Sequence, residues 1–329
     1  SGRIKNLFVN EGFVRFELVH TPGGDEGLQG QCHQAVSSLG GVERVEITQT
    51  DAPPPQVRKV MPKVTHVVAV ASGKGGVGKS TTAVNLAASL AAGGWRVGLL
   101  DADIYGPSQP RMLGVNQRPE SVDGKSLEPL MSYQVQVMSI GFLIDEDSPM
   151  IWRGPMVTQA LEQLLNDTRW KDLDYLVIDL PPGTGDIQLT LAQKVPVSGA
   201  VIVTTPQNIA LLDARKGFKM FEKVEIPVLG VIENMSTHIC SECGHEEHIF
   251  GAGGGERMAD DYDVEHLGNI PLDSRIRADV DGGRPTVVAD PDGQIADIYR
   301  RVARRVGGKL ALRKRNYSDV FPSIVIENN

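Results

Sequence analysis

A glycine-rich segment with two lysines has the residue types and spacing needed to bind the phosphates of a nucleotide. Residues 72–82 read S-G-K-G-G-V-G-K-S-T-T and contain the G-x-x-x-x-G-K-S pattern of a phosphate-binding loop. Glycines let backbone N–H groups point at an anion, and a helix that starts there adds positive potential. In such a loop Lys79 contacts the β- and γ-phosphates of ATP, and the Ser80 hydroxyl binds Mg²⁺. The residues predicted to surround ATP are Gly73, Lys74, Gly75, Gly76, Val77, Gly78, Lys79, Ser80 and Thr81.

Two apolar runs end in carboxylates that could complete the reaction centre of an ATPase. Residues 96–103 end in Asp101 and Asp103, and residues 175–186 place Asp179 before a turn rich in Pro and Gly. Phosphoryl transfer requires carboxylates around Mg²⁺ and a group that orients the attacking water. We predict that Asp179 is the acidic residue on the strand beside the loop. Asp101 is predicted to lie nearer the metal, and Asp103 is predicted to orient the water.

The turn after Asp179 contains two further candidates. Gly183 has no side chain, so its backbone N–H could come close to a γ-phosphate. Asp186 either contributes another carboxylate or is a turn aspartate or the N-cap of the helix that follows. The sequence leaves both interpretations of Asp186 open.

A pair of cysteines, Cys240-x-x-Cys243, could bind a metal with help from His238, His245 or His248. Two thiolates fill half of a tetrahedral site, and two copies of the chain could complete it as Cys₄ for a [4Fe–4S] cluster or Zn²⁺. One chain could instead add His245 and His248 for Zn²⁺. The pair could also be a redox dithiol or bind nothing. These four interpretations remain open on the residues alone.

The elements that must position these residues alternate between strands and helices from residue 64 onward. Near-continuous Val, Ile and Leu strands between helices predict an α/β fold with a doubly wound, mostly parallel sheet. Ligands of such sheets bind at the carboxyl ends of the strands, where the candidate residues fall. Strands are predicted at 65–71, 96–101, 135–140, 175–180, 200–205, 228–233 and 266–270, and helices at 80–92, 156–167, 187–194, 208–224, 253–262 and 294–312.

Composition excludes some classes of function. The 329 residues carry a net charge of −8, which argues against nucleic-acid binding because that requires a basic surface. No apolar run approaches the length of about 18 residues that a membrane span needs, and the first residues contain no apolar signal core. Three cysteines are too few for a disulfide framework in a chain of this length. We therefore expect a cytoplasmic protein that does not enter membranes.

Four segments are predicted along the chain. Residues 3–50 have the alternation of a small β-α-β unit, and residues 51–63 form a linker that contains three consecutive prolines. Residues 64–313 form the ATPase domain, and residues 314–329 form a polar tail.

Several motifs make a family resemblance specific. The phosphate-binding loop has an extra lysine, Lys74, in K-G-G-V-G-K-S-T, which resembles the deviant loop of the superfamily that includes the nitrogenase iron protein and the partition ATPases. The runs L-D-A-D-I-Y-G-P-S, W-R-G-P-M, D-L-P-P-G-T-G-D-I-Q-L-T, T-T-P-Q-N and I-C-S-E-C-G-H resemble the Mrp/ApbC-type iron–sulfur cluster carrier ATPases of P-loop NTPase fold. The similarity covers nearly all of residues 64–312.

The resemblance implies roles that the residues alone do not. Lys74 would cross a homodimer interface to the nucleotide of the partner and act as a catalytic residue beside Lys79, Asp103 and Asp179, and Asn234 would contact the adenine. The N-terminal unit resembles a MIP18-like domain that is incomplete at its start. The turn at 21–25, T-P-G-G-D, lacks the cysteine of that family, and Cys32 is expected to be a buried side chain rather than a ligand.

The resemblance favours an ATP-dependent iron–sulfur cluster carrier. The carrier would be a homodimer that holds a labile [4Fe–4S] cluster on Cys240 and Cys243 of both chains. It would receive the cluster from a donor and pass it to apo-proteins. Slow Mg²⁺-dependent ATP hydrolysis would serve as a conformational switch. A Zn²⁺-binding ATPase metallochaperone is one alternative, because it would use the same cysteines.

The other alternative is a positioning or partition ATPase that acts on a membrane or DNA. Its support is the basic end at residues 300–315, where an apolar stripe lies on the helix face opposite the arginines, as in helices that lie on anionic membranes. The stripe consists of Ile298, Val302, Val306 and Leu310. Two features oppose it: the stripe could equally pack on the sheet, and Gly307–Gly308 is expected to interrupt the helix.

Overall fold

A computed structural model describes residues 4–10, 12–20, 28–51, 64–121, 123–144, 154–240 and 242–312. The chain forms two compact units, residues 1–58 and residues 59–329. The predicted tail 314–329, the turn at 21–25 and the predicted linker beyond Asp51 lie outside the described residues.

The N-terminal unit is a three-stranded sheet with one helix. Its elements are β1 (Ile4–Asn10), β2 (Phe13–His20), α1 (Leu28–Ser37) and β3 (Arg44–Asp51). The central strand β2 pairs antiparallel with β1 and parallel with β3. Val14, Phe16 and Leu18 are buried on one face of β2, as their alternation with polar residues predicts. The pattern does not predict β1, where the consecutive apolar residues Phe8 and Val9 are both exposed.

The second unit is built on an eight-stranded sheet with strand order β13-β10-β9-β4-β8-β5-β7-β6. All neighbours in it are parallel except the edge pair β6–β7. Its strands are β4 (Val64–Ala71), β5 (Val97–Asp101), β6 (Leu130–Ser132), β7 (Val135–Ser139), β8 (Leu173–Asp179), β9 (Gly199–Thr204), β10 (Val228–Asn234) and β13 (Glu265–Ile270). A separate hairpin pairs β11 (His238–Ile239) with β12 (Glu246–Glu247).

Helices connect these strands and cover both faces of the sheet, which accounts for the uninterrupted burial of β5 and β9. They are α2 (Lys79–Ala92), α3 (Gln109–Met112), α4 (Gly154–Asp167), α5 (Asp186–Lys194), α6 (Asn208–Lys223), α7 (Gly254–Asp261), α8 (Ser274–Asp281), α9 (Thr286–Ala289) and α10 (Gln294–Leu312). The predicted α/β fold with a mostly parallel sheet is confirmed, and each predicted strand and helix of this unit agrees with its observed bounds to within two residues. The elements that the pattern misses here are short: β6, α3, α8, α9 and the hairpin.

Helix α10 corrects one prediction. It runs without a break from Gln294 to Leu312, so Gly307–Gly308 does not interrupt it. A Cβ on Gly307 would lie 3.2 Å from the Tyr175 hydroxyl oxygen, so the absent side chain allows close packing of the helix on this residue. That packing offsets the cost of glycine in a helix, about 1 kcal/mol.

The apolar stripe of α10 belongs to the protein core. Val302, Val306 and Leu310 are buried, and Ile298 packs against the same core. The membrane alternative therefore loses the observation that supported it. No helix in the described part of the chain is long and apolar enough to cross a bilayer.

Candidate functional site

The phosphate-binding loop connects the end of β4 to the start of α2. Gly76 and Gly78 have φ angles of 81° and 82°, a left-handed conformation that favours glycine. Thr82 anchors the first turn of the helix, because its N–H and its hydroxyl each donate to the Gly78 carbonyl at 2.9 Å. A cavity of about 210 Å³ opens over the loop and is bordered by Lys79, Ser80, Thr81, Asp103, Ser108 and Pro182.

Two glycines of the loop lie close to other elements. A Cβ on Gly73 would lie 2.1 to 2.4 Å from backbone atoms of Asp213 and Ala214 in α6. A Cβ on Gly78 would lie 2.1 Å from Nδ2 of Asn234. Asn234 is the last residue of β10. The loop is therefore held between α6 and the carboxyl end of β10.

Lys79 is buried and paired with carboxylates. Its Nζ lies 2.5 Å from Oδ1 of Asp179, 3.1 Å from Oγ of Ser80 and 3.9 Å from Oδ2 of Asp103. These distances bring together four of the predicted site residues. Any phosphate that reaches Lys79 must compete with Asp179 for its ammonium group.

Asp101 and Asp179 are partners in the register of the neighbouring strands β5 and β8, and both are fully buried. Asp101 accepts hydrogen bonds from the N–H groups of Asp103 (3.2 Å) and Gln109 (3.1 Å) and from the Ser139 hydroxyl (3.1 Å). Burial, together with the negative charge of Asp179, raises the pKa of Asp101 to about 7. Burial also raises the pKa of Asp103, an effect that the positive charge of Lys79 opposes.

This set of oxygen atoms fits a magnesium ion. Magnesium prefers oxygen ligands and keeps several of its water molecules. The Ser80 hydroxyl and one carboxylate oxygen of Asp179 both contact Lys79 Nζ, and Asp101 is the register partner of Asp179. The carboxamide oxygen Oε1 of Gln109 is also buried here with no hydrogen-bond partner among the described residues. It could accept a hydrogen bond from a metal-bound water. A divalent cation would stabilise the ionised carboxylates that burial disfavours.

Gln109 and Ser139 are site residues that sequence reasoning misses. Each contacts Asp101, and Gln109 also donates to Asp179. Gln109 begins a helix of four residues, and Ser139 ends a strand. Neither position carries a motif. The available signal is that Ser139 ends a strand and Gln109 follows a turn at the carboxyl edge of the sheet, where the site lies.

Two predicted contacts differ from those observed. The Gly183 N–H, predicted to approach a γ-phosphate, donates to the Ser72 carbonyl at 3.0 Å. The Asn234 side chain, predicted to contact adenine, donates to the Val77 carbonyl at 2.8 Å. Both residues therefore lie against the loop and hold its backbone, and their roles toward the nucleotide remain predictions.

Two predicted residues remain, Lys74 and Asp186. Lys74 is exposed at the mouth of the cavity. Asp186 is the first residue of α5 and Gly185 occupies the capping position, so the interpretation of Asp186 as the helix cap is wrong.

The cysteine pair lies in the turn between β11 and β12. The Cys240 N–H donates to the His245 carbonyl and the Gly244 N–H donates to the Cys240 carbonyl, both at 2.9 Å. Gly244 has a φ angle of 70°, which allows this tight turn. Hydrogen bonds from the backbone N–H groups of Cys243 and Glu242 lower the pKa of the Cys240 thiol. The turn therefore makes this thiol more acidic than a free cysteine, and the thiolate is the form that binds metals.

The histidines near this turn have other partners. His238 Nδ1 lies 3.0 Å from the Leu272 carbonyl, and His248 Nδ1 lies 2.9 Å from the Ser236 carbonyl. Within the described ranges, which leave out residue 241, no three side chains of the types His, Cys, Asp and Glu are grouped as a metal site. The described part of one chain therefore does not assemble the one-chain zinc site with His245 and His248.

Known families and proteins include several that are similar to this chain. Residues 63–307 match the family described as NUBPL iron-transfer P-loop NTPase of the ParA type. The iron-sulfur cluster carrier protein of Pseudomonas fragi is 60% identical over 282 residues, which are 84% of this chain and 98% of that protein. The carrier protein of the same name from Escherichia coli K12 is 60% identical over 248 residues, 75% of this chain and 67% of that protein. The mouse iron-sulfur cluster transfer protein NUBPL is 50% identical over 255 residues, 77% of this chain and 80% of that protein.

Solved structures share the fold. A nucleotide-binding protein from Archaeoglobus fulgidus in complex with ADP has a TM-score of 0.63 and 36% identity, covering 74% of this chain and 95% of that one. The cell division ATPase MinD of Pyrococcus furiosus has a TM-score of 0.56 and 22% identity, covering 74% of this chain and 98% of that one. The second likeness concerns the fold alone.

Proposed function

Because the chain belongs to the NUBPL iron-transfer P-loop NTPases, we propose that it is an ATP-dependent carrier of iron–sulfur clusters. The observation that carries this proposal is the presence of two separate sites in one unit. One is a phosphate-binding loop surrounded by carboxylates, and the other is a Cys-x-x-Cys turn that favours the thiolate of Cys240. The first suits ATP hydrolysis, and the second suits a cluster as cargo.

In the ATPase site Lys79 binds the β- and γ-phosphates after its ammonium group leaves Asp179. Ser80, Asp179 and Asp101 would hold Mg²⁺, which neutralises charge on the phosphate oxygens when bound. Asp103 borders the cavity and is only 13% exposed, so it can orient a water molecule beside the phosphates. Hydrolysis is slow and serves as a switch between two conformations.

Asp103→Asn is expected to retain ATP binding and to slow hydrolysis about 10²-fold, because it keeps the shape of the side chain but removes the basic group. ATP affinity and single-turnover hydrolysis measure the two effects separately. Asp261→Asn, at an exposed position of α7, is the matched control. A wild-type rate in Asp103→Asn would assign the role to Asp101.

The cluster site requires two chains. Each chain contributes Cys240 and Cys243, and four thiolates are the usual ligand set of a [4Fe–4S] cluster. Among the described residues of one chain, no third His, Cys, Asp or Glu lies close enough to form a metal site with them. A homodimer therefore completes the site and passes the cluster from a donor to apo iron–sulfur proteins. The thiolates require a reducing compartment, and we place the protein in the cytoplasm.

Lys74→Ala is expected to leave ATP affinity largely unchanged, because the target of Lys74 is the phosphate of the partner's nucleotide. Hydrolysis is expected to slow about tenfold, because a charge-assisted hydrogen bond contributes roughly 1.5 kcal/mol or more. Nucleotide titration and steady-state hydrolysis distinguish the two quantities. An equal loss of ATP affinity in Lys74→Ala and Lys79→Ala would show that Lys74 binds the nucleotide of its own chain.

The function as a whole is tested by anaerobic reconstitution with iron and sulfide. The reconstituted protein is analysed for iron, sulfide and zinc, and its visible absorption is followed after an apo iron–sulfur protein is added, with and without Mg-ATP. We expect cluster absorption in the carrier and nucleotide-dependent activation of the recipient. Stoichiometric zinc with no cluster absorption would favour the metallochaperone alternative.

A further inference from the structure

Gln109 is a fully buried polar residue at the start of α3, and it contacts the aspartates that end β5 and β8. Its carboxamide Nε2 donates to Oδ2 of Asp179 at 2.8 Å and to the Ser80 carbonyl at 3.1 Å. Its backbone N–H donates to Oδ2 of Asp101 at 3.1 Å. One residue thus joins both carboxylate strands to the first turn of α2.

The orientation of the carboxamide follows from its partners. Both atoms that Nε2 contacts are hydrogen-bond acceptors, so exchanging the two ends of the carboxamide would bring Oε1 against two oxygens. Oε1 therefore keeps its place as the buried acceptor that has no partner within the described residues. The group offers two donors to the protein and one acceptor to the site.

We propose that Gln109 is a positioning residue that holds Asp179 and Asp101 in place for magnesium; this inference rests on the proposed ATPase function. Asp179 divides its two oxygens between Lys79, at 2.5 Å, and Gln109, at 2.8 Å. Phosphates attract the Lys79 ammonium group, so the bond from Lys79 to Asp179 is replaced by bonds to phosphate when ATP binds. The bond from Gln109 can persist through that exchange, because Gln109 has no phosphate to bind.

A neutral donor suits this position. Once Lys79 turns to the phosphates, Gln109 keeps the Asp179 carboxylate oriented without neutralising it, so the full negative charge is available to a cation. A second lysine here would compete with that cation. The unpartnered Oε1 lies on the same carboxamide and can accept from a water molecule of the hydrated ion.

The proposal is tested with Gln109→Met, which preserves the approximate volume and removes the amide. The matched control is Gln136→Met. Gln136 is also buried, but among the described residues its carboxamide bonds to the backbone of Lys171 (3.0 and 2.9 Å), outside the ATPase site. Binding of a fluorescent ATP analogue is titrated against Mg²⁺ in each protein, and thermal unfolding is followed in parallel.

For Gln109→Met we expect the Mg²⁺ concentration at the midpoint to rise about tenfold, which corresponds to roughly 1.4 kcal/mol, while affinity for the analogue without Mg²⁺ stays at the wild-type value. Gln136→Met is expected to lower the melting temperature without moving the Mg²⁺ midpoint. If Gln109→Met does not fold, Gln109→Asn serves instead, because its shorter side chain withdraws the amide from Asp179 and raises the midpoint in the same direction.

A wild-type Mg²⁺ midpoint in the folded Gln109 variant would overturn the positioning role and leave the ATPase assignment standing. Failure of the analogue to bind the wild-type protein, with or without Mg²⁺, would overturn both. The two failures are therefore distinguished by the wild-type titration.

Discussion

Cys240→Ala is expected to abolish cluster binding and the metal-linked dimer together, while ATP binding survives. A shared cluster needs two thiolates from each chain, and Cys240 is the cysteine whose thiolate the turn stabilises through backbone N–H groups. The phosphate-binding loop makes none of its observed hydrogen bonds to this turn, so nucleotide affinity should stay near the wild-type value. Iron analysis, size-exclusion chromatography and ATP titration after anaerobic reconstitution measure the three properties.

Two control variants make this result specific. Cys32→Ala changes a cysteine of the N-terminal unit and should leave iron content unchanged. His245→Ala should also change little, because the described contacts use the backbone of His245 and not its ring. Loss of metal in His245→Ala from a protein that stays monomeric would contradict the bridging cluster and support the one-chain zinc site.

Lys79→Ala is expected to weaken ATP binding about 10³-fold and to bring hydrolysis below detection. The lysine provides the charge buried beneath the loop, and each charge-assisted hydrogen bond to phosphate contributes roughly 1.5–3 kcal/mol. The substitution also leaves Asp179 buried without its ion-pair partner, which should lower the free energy of unfolding by about 3–5 kcal/mol. Isothermal titration with ATP and chemical denaturation measure the two losses.

A matched substitution separates these effects from a general effect of lysine removal. Lys219→Ala, at an exposed position of α6, should change neither ATP affinity nor stability. Wild-type ATP affinity in Lys79→Ala would mean that the cavity over the loop is not the nucleotide site.

The parts of the site that could be predicted from sequence are those encoded within short segments. The loop from Gly73 to Ser80 and the acidic ends of β5 and β8 each combine a strand pattern with a local motif. Parallel strands bring such ends to one edge of the sheet. Asp101 and Asp179 therefore could be placed together, and they are register partners.

The missed features depend on contacts between distant segments. Gln109 contacts Asp179 across 70 residues of sequence, and Asn234 contacts Val77 across 157. Gly307 looked like a helix breaker because its contact with Tyr175 is not visible in sequence. Local propensity cannot report such packing, so tertiary contacts decided the role of each of these residues.

The ion pair between Lys79 and Asp179 also bears on which nucleotides the site accepts. Asp179 already forms an ion pair with the Lys79 ammonium group at 2.5 Å. A ligand that does not reach Lys79 leaves this pair intact and gains nothing from the buried charge. A ligand that reaches it must present more anionic oxygen than one carboxylate does. We therefore expect the pair to favour di- and triphosphates over AMP or adenosine, because Asp179 competes for Lys79 whatever the base contacts.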